Sequence, residues 1–241
     1  MFPIGDEHNG RVLTPVVNYT LIALNVLVFL YEFLLPEPEL REFIFRWGAI
    51  PASVSQGEEL IGLVTSIFLH GGWLHLGGNM LFLWVFGDNV EDAMGHARYL
   101  LFYVLCGLVA GLAQVLIDVD SRIPLVGASG AIAGVLGAYI LLFPRGRIRT
   151  LVVLGFFVTV VLIPAWIQIG IWFVLQLFSG IGSLGVDTEQ TGGGVAFWAH
   201  IGGFVAGALL VWVFRDRDAV DRQRAVRARN HAWERVGLGS R

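Results

Sequence analysis

Polar side chains interrupt long apolar stretches of this sequence at four sites. These are residues 70–79 (HGGWLHLGGN), residues 127–130 (GASG), residues 199–203 (AHIGG), and the glutamines Gln168 and Gln176. A polar side chain within hydrocarbon is costly, so each site is a functional hypothesis by default. A serine hydroxyl becomes a nucleophile when a base takes its proton, and a neutral imidazole can do so near pH 7. Ser129 and His200 therefore suggest acyl-transfer chemistry.

Acyl transfer also needs hydrogen-bond donors aimed at the oxyanion that develops on the substrate. His75 and Asn79 are four residues apart, which places them on one face of a helix. Ser129 is predicted to begin a helix, where unpaired N–H groups and the helix dipole favour negative charge. The sequence thus offers the parts of a Ser/His hydrolase, without an evident acidic third member.

The helical rise predicts that these groups lie at similar depths. Ser129 is sixteen residues before Arg145, or about 24 Å along a helix. His200 is fifteen residues before Arg215, or about 22 Å by the same rise. Asn79 is expected in the outer half of the membrane, as Ser129 is, if its helix ends near Met94. Close approach of the helices is predicted from three G-x-x-x-G steps, at Gly107 and Gly111, Gly130 and Gly134, and Gly203 and Gly207.

The composition indicates a membrane protein. Of 241 residues, 56% are hydrophobic and only 15% are charged, whereas a soluble domain has about 25% charged residues. The single cysteine, Cys106, excludes a disulfide scaffold. Arginine is the only fixed cation, and no basic face interleaved with aromatic residues precedes the last 27 residues, so a nucleic-acid partner is not expected.

Six segments are long and apolar enough to suggest transmembrane helices in an all-α, polytopic fold. They are residues 17–36, 74–94, 98–117, 127–143, 150–178 and 194–214. The fifth is long, and Pro164 is expected to kink or divide it. The connection 37–60 is partly apolar and is predicted to form amphipathic helices in the outer interface, between the first and second spans.

Arginine placement predicts the orientation and the domain limits. The 144–149 loop and the tail from Arg215 are rich in arginine, so both are expected on the cytoplasmic side, together with both termini. This gives a short segment 1–14, a membrane domain 15–214 and an Arg-rich tail 215–241. The tail fits either attraction to anionic lipid or a solvated tail that fixes topology. The membrane is expected to be the cell membrane of a bacterium or an archaeon.

Over residues 15–214 the sequence resembles the rhomboid family of intramembrane serine proteases. Its H-x-x-x-N motif is similar to His75–Asn79, its G-x-S-G motif to Gly127–Gly130, and its A-H-x-x-G motif to Ala199–Gly203. Each motif is weak alone, but the three stand in the family's order and on the corresponding spans. Glu91, Gly95 and Arg98, in the expected second cytoplasmic turn, resemble a further family pattern of an acid, a glycine and a base.

The resemblance implies a role for each matching residue. Ser129 would be the nucleophile and His200 its base, and His75, Asn79 and the Ser129 backbone N–H would form the oxyanion hole. Supporting roles would fall to Gly127, Gly130, His70 and Gly203. The fifth helix and the 179–194 loop would act as gate and cap for a transmembrane protein substrate, cleaved near its outer end. No metal or organic cofactor is implied.

One departure from the family pattern concerns the residue four positions after the serine. Several members carry an aromatic residue there, packed on the catalytic imidazole, whereas this sequence has Ala133. The orientation of His200 must then come from another residue. The pKa of His200 or the rate of catalysis could differ from that of members with the aromatic residue.

Other interpretations stay open from the sequence alone. Ser129 could be a helix cap or a small contact residue, Asn79 could be a helix–helix hydrogen-bonding group, and His70 with His75 could bind a metal. Gln168 and Gln176 are expected to hydrogen-bond across helices, and Asp118 and Asp120 to face water. At the level of the whole chain, the alternatives are a silent rhomboid-like protein that binds or escorts membrane helices and a small transporter. Substrate and oligomeric state are left undetermined.

Overall fold

The structure is a computed structural model that describes residues 2–6, 11–184 and 194–235. Most of the predicted 179–194 cap and the last six residues of the tail lie outside these ranges. The described chain is 70% helical. Its α-helices are α1 Val16–Leu34, α2 Glu37–Trp47, α3 Pro51–Ser55, α4 Gly62–Thr65, α5 Trp73–Phe82, α6 Asp88–Met94, α7 His96–Ile117, α8 Ser129–Leu142, α9 Ala165–Ser183, α10 Phe197–Phe214 and α11 Arg217–Arg235.

Four of the helices in these ranges are long and apolar enough to cross a membrane, namely α1, α7, α9 and α10. Three further helices occupy the second and fourth predicted spans. α5 and α6 are joined through a π-helical turn, Leu83–Gly87, and α8 has 14 residues. A short 3₁₀ turn, Ser66–Phe68, precedes α5. The count of six spans therefore remains a prediction.

Two predictions are wrong. The fold is not all-α, and the first half of the predicted fifth span, residues 150–164, is not helical. The strands β1 Phe2–Asp6, β2 Arg147–Leu154 and β3 Phe157–Pro164 form an antiparallel sheet in that order. Pro164 ends the last strand, and α9 begins at the next residue. Proline thus divides the predicted span rather than kinking it.

This segment forms strands because of the type of apolar residue that it contains, not because of the number of apolar residues. Nine of the sixteen residues of β2 and β3 are β-branched, and such residues favour an extended backbone. Gly155 has a φ of 59° in the two-residue turn between the paired residues Leu154 and Phe157. Such a turn suits a β-hairpin. Hydropathy alone does not distinguish this hairpin from a helix.

The connection between the first two spans does contain helices. α2 and α3 lie within the predicted 37–60 stretch, and none of the side chains of α2 is buried. Their location at a membrane interface remains a prediction.

The helix bearing Ser129 is held between α7 and α10 by glycines. A side-chain carbon on Gly203 would overlap the Gly130 carbonyl oxygen, and one on Gly207 would overlap the carbonyl oxygen of Gly134. Two of the predicted G-x-x-x-G steps therefore form one seam between α8 and α10. Because the backbones touch, Ser129 at the start of α8 lies next to the first turns of α10.

Gly203→Ala is expected to lower the free energy of unfolding by about 1–3 kcal/mol, because the new methyl group forces apart two packed backbones. Gly182→Ala is the matched control, since a methyl group on that α9 residue would meet nothing within 4 Å. Unfolding in mixed detergent micelles, followed by circular dichroism, measures both changes. Equal stability of the two variants would contradict the role of the seam.

The Arg-rich tail begins with a helix that packs on the bundle, at the end away from Ser129. Gln223 of α11 is fully buried and donates a hydrogen bond to Asp92. The Arg227 guanidinium donates to Asn89 at 3.0 Å and lies 3.3 Å from the Asp6 carboxylate. This first part of the tail is therefore docked rather than solvated, and it connects β1 to α6.

Candidate active site

Ser129 and His200, expected at similar depths, are in hydrogen-bonding contact. The serine is the first residue of α8, and His200 is in the first turn of α10. Nε2 of the buried imidazole lies 2.8 Å from the Ser129 hydroxyl oxygen. This distance is within the range for proton transfer from a nucleophile to a general base.

The other ring nitrogen of His200 contacts Gln176 of α9. Nδ1 lies 2.7 Å from the Gln176 side-chain carbonyl oxygen. An amide oxygen only accepts hydrogen bonds, so Nδ1 carries the proton in the neutral ring. The lone pair of Nε2 then faces the Ser129 hydroxyl, which is the tautomer that a general base requires.

An aromatic residue packs against the imidazole, from an element that the sequence did not suggest. Trp172 of α9 has its ring centroid 5.9 Å from that of His200, with the planes 36° apart. Ala133, four positions after the serine on α8, is fully buried and supplies no ring. The orientation of His200 therefore comes from α9, through Trp172 and Gln176.

The prediction of hydrogen bonds across helices is confirmed for Gln176 and is wrong for Gln168, whose partner lies on a strand. Gln168 accepts from the Thr150 hydroxyl on β2, and Gln176 bonds to His200. Their spacing of eight residues suggested a shared face, but not which of them would reach an imidazole.

His75 and Asn79 of α5 face the loop that leads into Ser129. A side-chain carbon on Gly127 would lie 2.7 Å from His75 Nε2 and 3.6 Å from Asn79 Nδ2. Gly127 also has a φ of 123°, a conformation that other residues rarely adopt. Glycine is therefore required here for both space and backbone conformation.

His75 Nε2 and Asn79 Nδ2 are both available to donate a hydrogen bond. His75 Nδ1 accepts a hydrogen bond from the Gly71 backbone N–H at 3.3 Å, so the proton of the neutral ring is on Nε2. Asn79 Nδ2 is buried and has no hydrogen-bond partner among the described residues. A buried unpaired donor is costly unless a ligand satisfies it.

His70 packs against His75. The two rings meet edge to face with their centroids 5.1 Å apart. The backbone N–H of His70 donates to the Glu32 carboxylate at 3.2 Å. Glu32 is an acid inside the first apolar stretch, and its position there is the signal in the sequence that points to this contact. Within residues 2–6, 11–184 and 194–235, no group of three or more His, Cys, Asp or Glu side chains is arranged to hold a metal ion.

A cavity of about 650 Å³ connects the candidate residues. Its walls come from α3, α5, α7, α8, α9, α10 and the loops that precede α5, α8 and α10, and its lining includes Ser129, His200, His75, Asn79, Gln114 and Trp172. Asp118, expected to face water, also lines it. The arrangement combines a serine–imidazole pair with donors that could receive an oxyanion.

Comparison with known proteins gives the family. The Rhomboid domain model matches residues 57–217. The chain belongs to the rhomboid family. The sequence-based recognition is confirmed, and with its apolar helices this rhomboid is an integral, multi-pass membrane protein.

Several known rhomboids align with most or about half of the chain. "Rhomboid protease GluP" of Bacillus subtilis (strain 168) is 33% identical over 202 residues, which are 84% of this chain and 36% of that protein. "Rhomboid protein 1, mitochondrial" of Saccharomyces cerevisiae is 27% identical over 87% of this chain and 56% of its own length. "Putative rhomboid protease YdcA" of Bacillus subtilis is 32% identical over 53% of this chain and 62% of its own length. The chain therefore spans less than two thirds of each relative.

Proposed function

We propose that this rhomboid is an intramembrane serine endopeptidase that cleaves transmembrane segments of other membrane proteins. The observation that carries the proposal is the 2.8 Å contact between Ser129 Oγ and His200 Nε2 at the wall of the cavity. The names of two relatives, which describe one protease and one putative protease, support the same activity.

In the proposed mechanism Ser129 Oγ attacks a peptide carbonyl while His200 Nε2 takes the hydroxyl proton. Three donors receive the resulting oxyanion: Asn79 Nδ2, His75 Nε2 and the Ser129 backbone N–H, which has no intrahelical partner at the start of α8. The imidazolium then protonates the leaving amine, and the acyl-enzyme forms. Water, activated in turn by His200, hydrolyses the ester and regenerates Ser129.

The proposed topology follows from the positions of the arginines. We place both termini and the 144–149 segment on the cytoplasmic side, and Ser129 in the outer half of the membrane. The scissile bond would then lie near the outer end of the substrate helix. Such a bond must be presented as extended chain, which favours substrates with small or helix-destabilising residues at that point.

Covalent labelling by a fluorophosphonate probe tests the nucleophile. Protein reconstituted in lipid vesicles should be labelled, and peptide mass spectrometry should locate the adduct on Ser129. Ser129→Ala should abolish the label. Ser121→Ala is the matched control, because that serine lines the same cavity but its hydroxyl accepts from the Ile123 backbone N–H instead of facing an imidazole.

Labelling that is absent from the wild type, or unchanged in Ser129→Ala, would overturn the proposal. The chain would then be better interpreted as a rhomboid-like protein that binds membrane helices without cleaving them.

A further inference from the structure

One helix, α9, makes both side-chain contacts that fix the His200 ring. Gln176 Oε1 lies 2.7 Å from Nδ1, and Trp172 packs its indole against the ring at 5.9 Å between centroids. These two residues are one helical turn apart, so they share a face of α9. Neither belongs to the three motifs that carry the family resemblance.

The contacts of His200 leave no ring nitrogen for a carboxylate. Nε2 is engaged with Ser129 and Nδ1 with Gln176. In a Ser-His-Asp triad the carboxylate holds the imidazole in the tautomer that accepts the serine proton. Here the neutral amide of Gln176 occupies that place, so it can select the tautomer but stabilises the imidazolium less than a carboxylate would.

The same face of α9 packs on α10 through aromatic side chains. Trp172 also contacts Phe204, with centroids 6.3 Å apart, and Phe173 stacks on Phe204 at 4.1 Å. Phe204 is one turn beyond His200 on α10. The ring plane of His200 is therefore set by how α9 and α10 pack together.

We infer that Gln176 and Trp172 are positioning residues for His200, so that the serine–histidine pair is competent only while α9 is packed against α10. This inference rests on the proposed function. It assigns to α9 a role in assembling the catalytic geometry, in addition to any role in admitting substrate.

Replacement of Gln176 by the near-isosteric methionine tests the hydrogen bond. Gln176→Met should lower kcat and the rate of fluorophosphonate labelling about 10–100-fold, the range found when the partner that orients a metal-ligating histidine is removed. KM for a fluorogenic single-span peptide should change little. Gln168→Met is the matched control on the same helix, because Gln168 bonds to Thr150 rather than to an imidazole.

The conservative variant Gln176→Glu separates positioning from a merely structural role. A carboxylate also accepts from Nδ1–H, so labelling should return to within about threefold of wild type. The added negative charge should also move the acid limb of the pH–rate profile to higher pH. A structural role predicts neither recovery nor a shift in the profile.

A disulfide tests whether the packed arrangement is the competent one. A side-chain carbon on Gly180 of α9 would lie 3.5 Å from Cβ of Phe197 on α10, within the range for a disulfide. Gly180→Cys with Phe197→Cys, in a Cys106→Ala background, should be labelled as fast when oxidised as when reduced. Labelling at least tenfold slower in the oxidised form would overturn the inference.

These outcomes are distinguishable from failure of the proposed function. If Ser129 is labelled in the wild type but Gln176→Met is labelled equally fast, the nucleophile assignment stands and the inference about α9 is wrong. If the wild type is not labelled at all, both are wrong.

Discussion

His200→Ala is expected to lower kcat for hydrolysis of a transmembrane peptide about 10⁴-fold, with KM nearly unchanged. Removal of the imidazole leaves the Ser129 hydroxyl without a proton acceptor, and a bare serine is a poor nucleophile. The donors facing the cavity remain, so a residual acceleration of about 10³–10⁴ over the uncatalysed reaction should persist. The assay is cleavage of a fluorogenic single-span peptide in proteoliposomes.

His96→Ala is the control for any general effect of removing a histidine side chain on kcat. Its Nδ1 lies 2.5 Å from the Glu91 carboxylate, and it is not among the residues lining the cavity. We expect kcat of this variant within about threefold of wild type. A loss of less than tenfold in His200→Ala would show that the serine–histidine contact does not carry the chemistry.

Asn79→Ala is expected to lower kcat about 10²–10³-fold, the usual cost of removing one oxyanion donor. The reason is that Asn79 Nδ2 is buried, has no partner among the described residues, and faces the loop before Ser129. Its hydrogen bond would form only with the charged intermediate, so KM should change little. Steady-state kinetics with the same peptide measure both parameters.

The competing interpretation makes Asn79 a helix–helix hydrogen-bonding group, and the same variant tests it. That role predicts a lower free energy of unfolding with kcat preserved in the folded fraction. Asn25→Ala provides the comparison, because Asn25 is buried in α1 and donates to the Leu21 carbonyl of its own helix. A similar kcat in the two variants would reject Asn79 as an oxyanion donor.

The candidate site could be predicted largely from spacing along the chain. Ser129 and His200 stand at similar distances from the arginines that follow their helices, so a fixed helical rise places them at one level. The G-x-x-x-G steps predicted that the two helices would approach closely, and the glycine seam between α8 and α10 has this form. The catalytic roles of these residues remain proposals.

The fifth span could not be predicted from hydropathy. Residues 150–164 are as apolar as a membrane helix, but their β-branched residues and the Gly155 turn form a hairpin. Pairing of β2 with β1 adds a long-range contact that no local pattern contains. Similarly, nothing in the charge of the tail indicates that Gln223 and Arg227 are buried against α6 and β1.

The sequence by itself determined the family, the membrane character and the order of the candidate catalytic residues, because these depend on residue type and on distances along one helix. Only the tertiary structure decided what orients His200. Gln168 and Gln176 are equivalent in type and lie on one face of α9, but the packing of α9 brings one to Thr150 and the other to the imidazole. That choice depends on the relative rotation and height of two packed helices, which local sequence patterns do not specify.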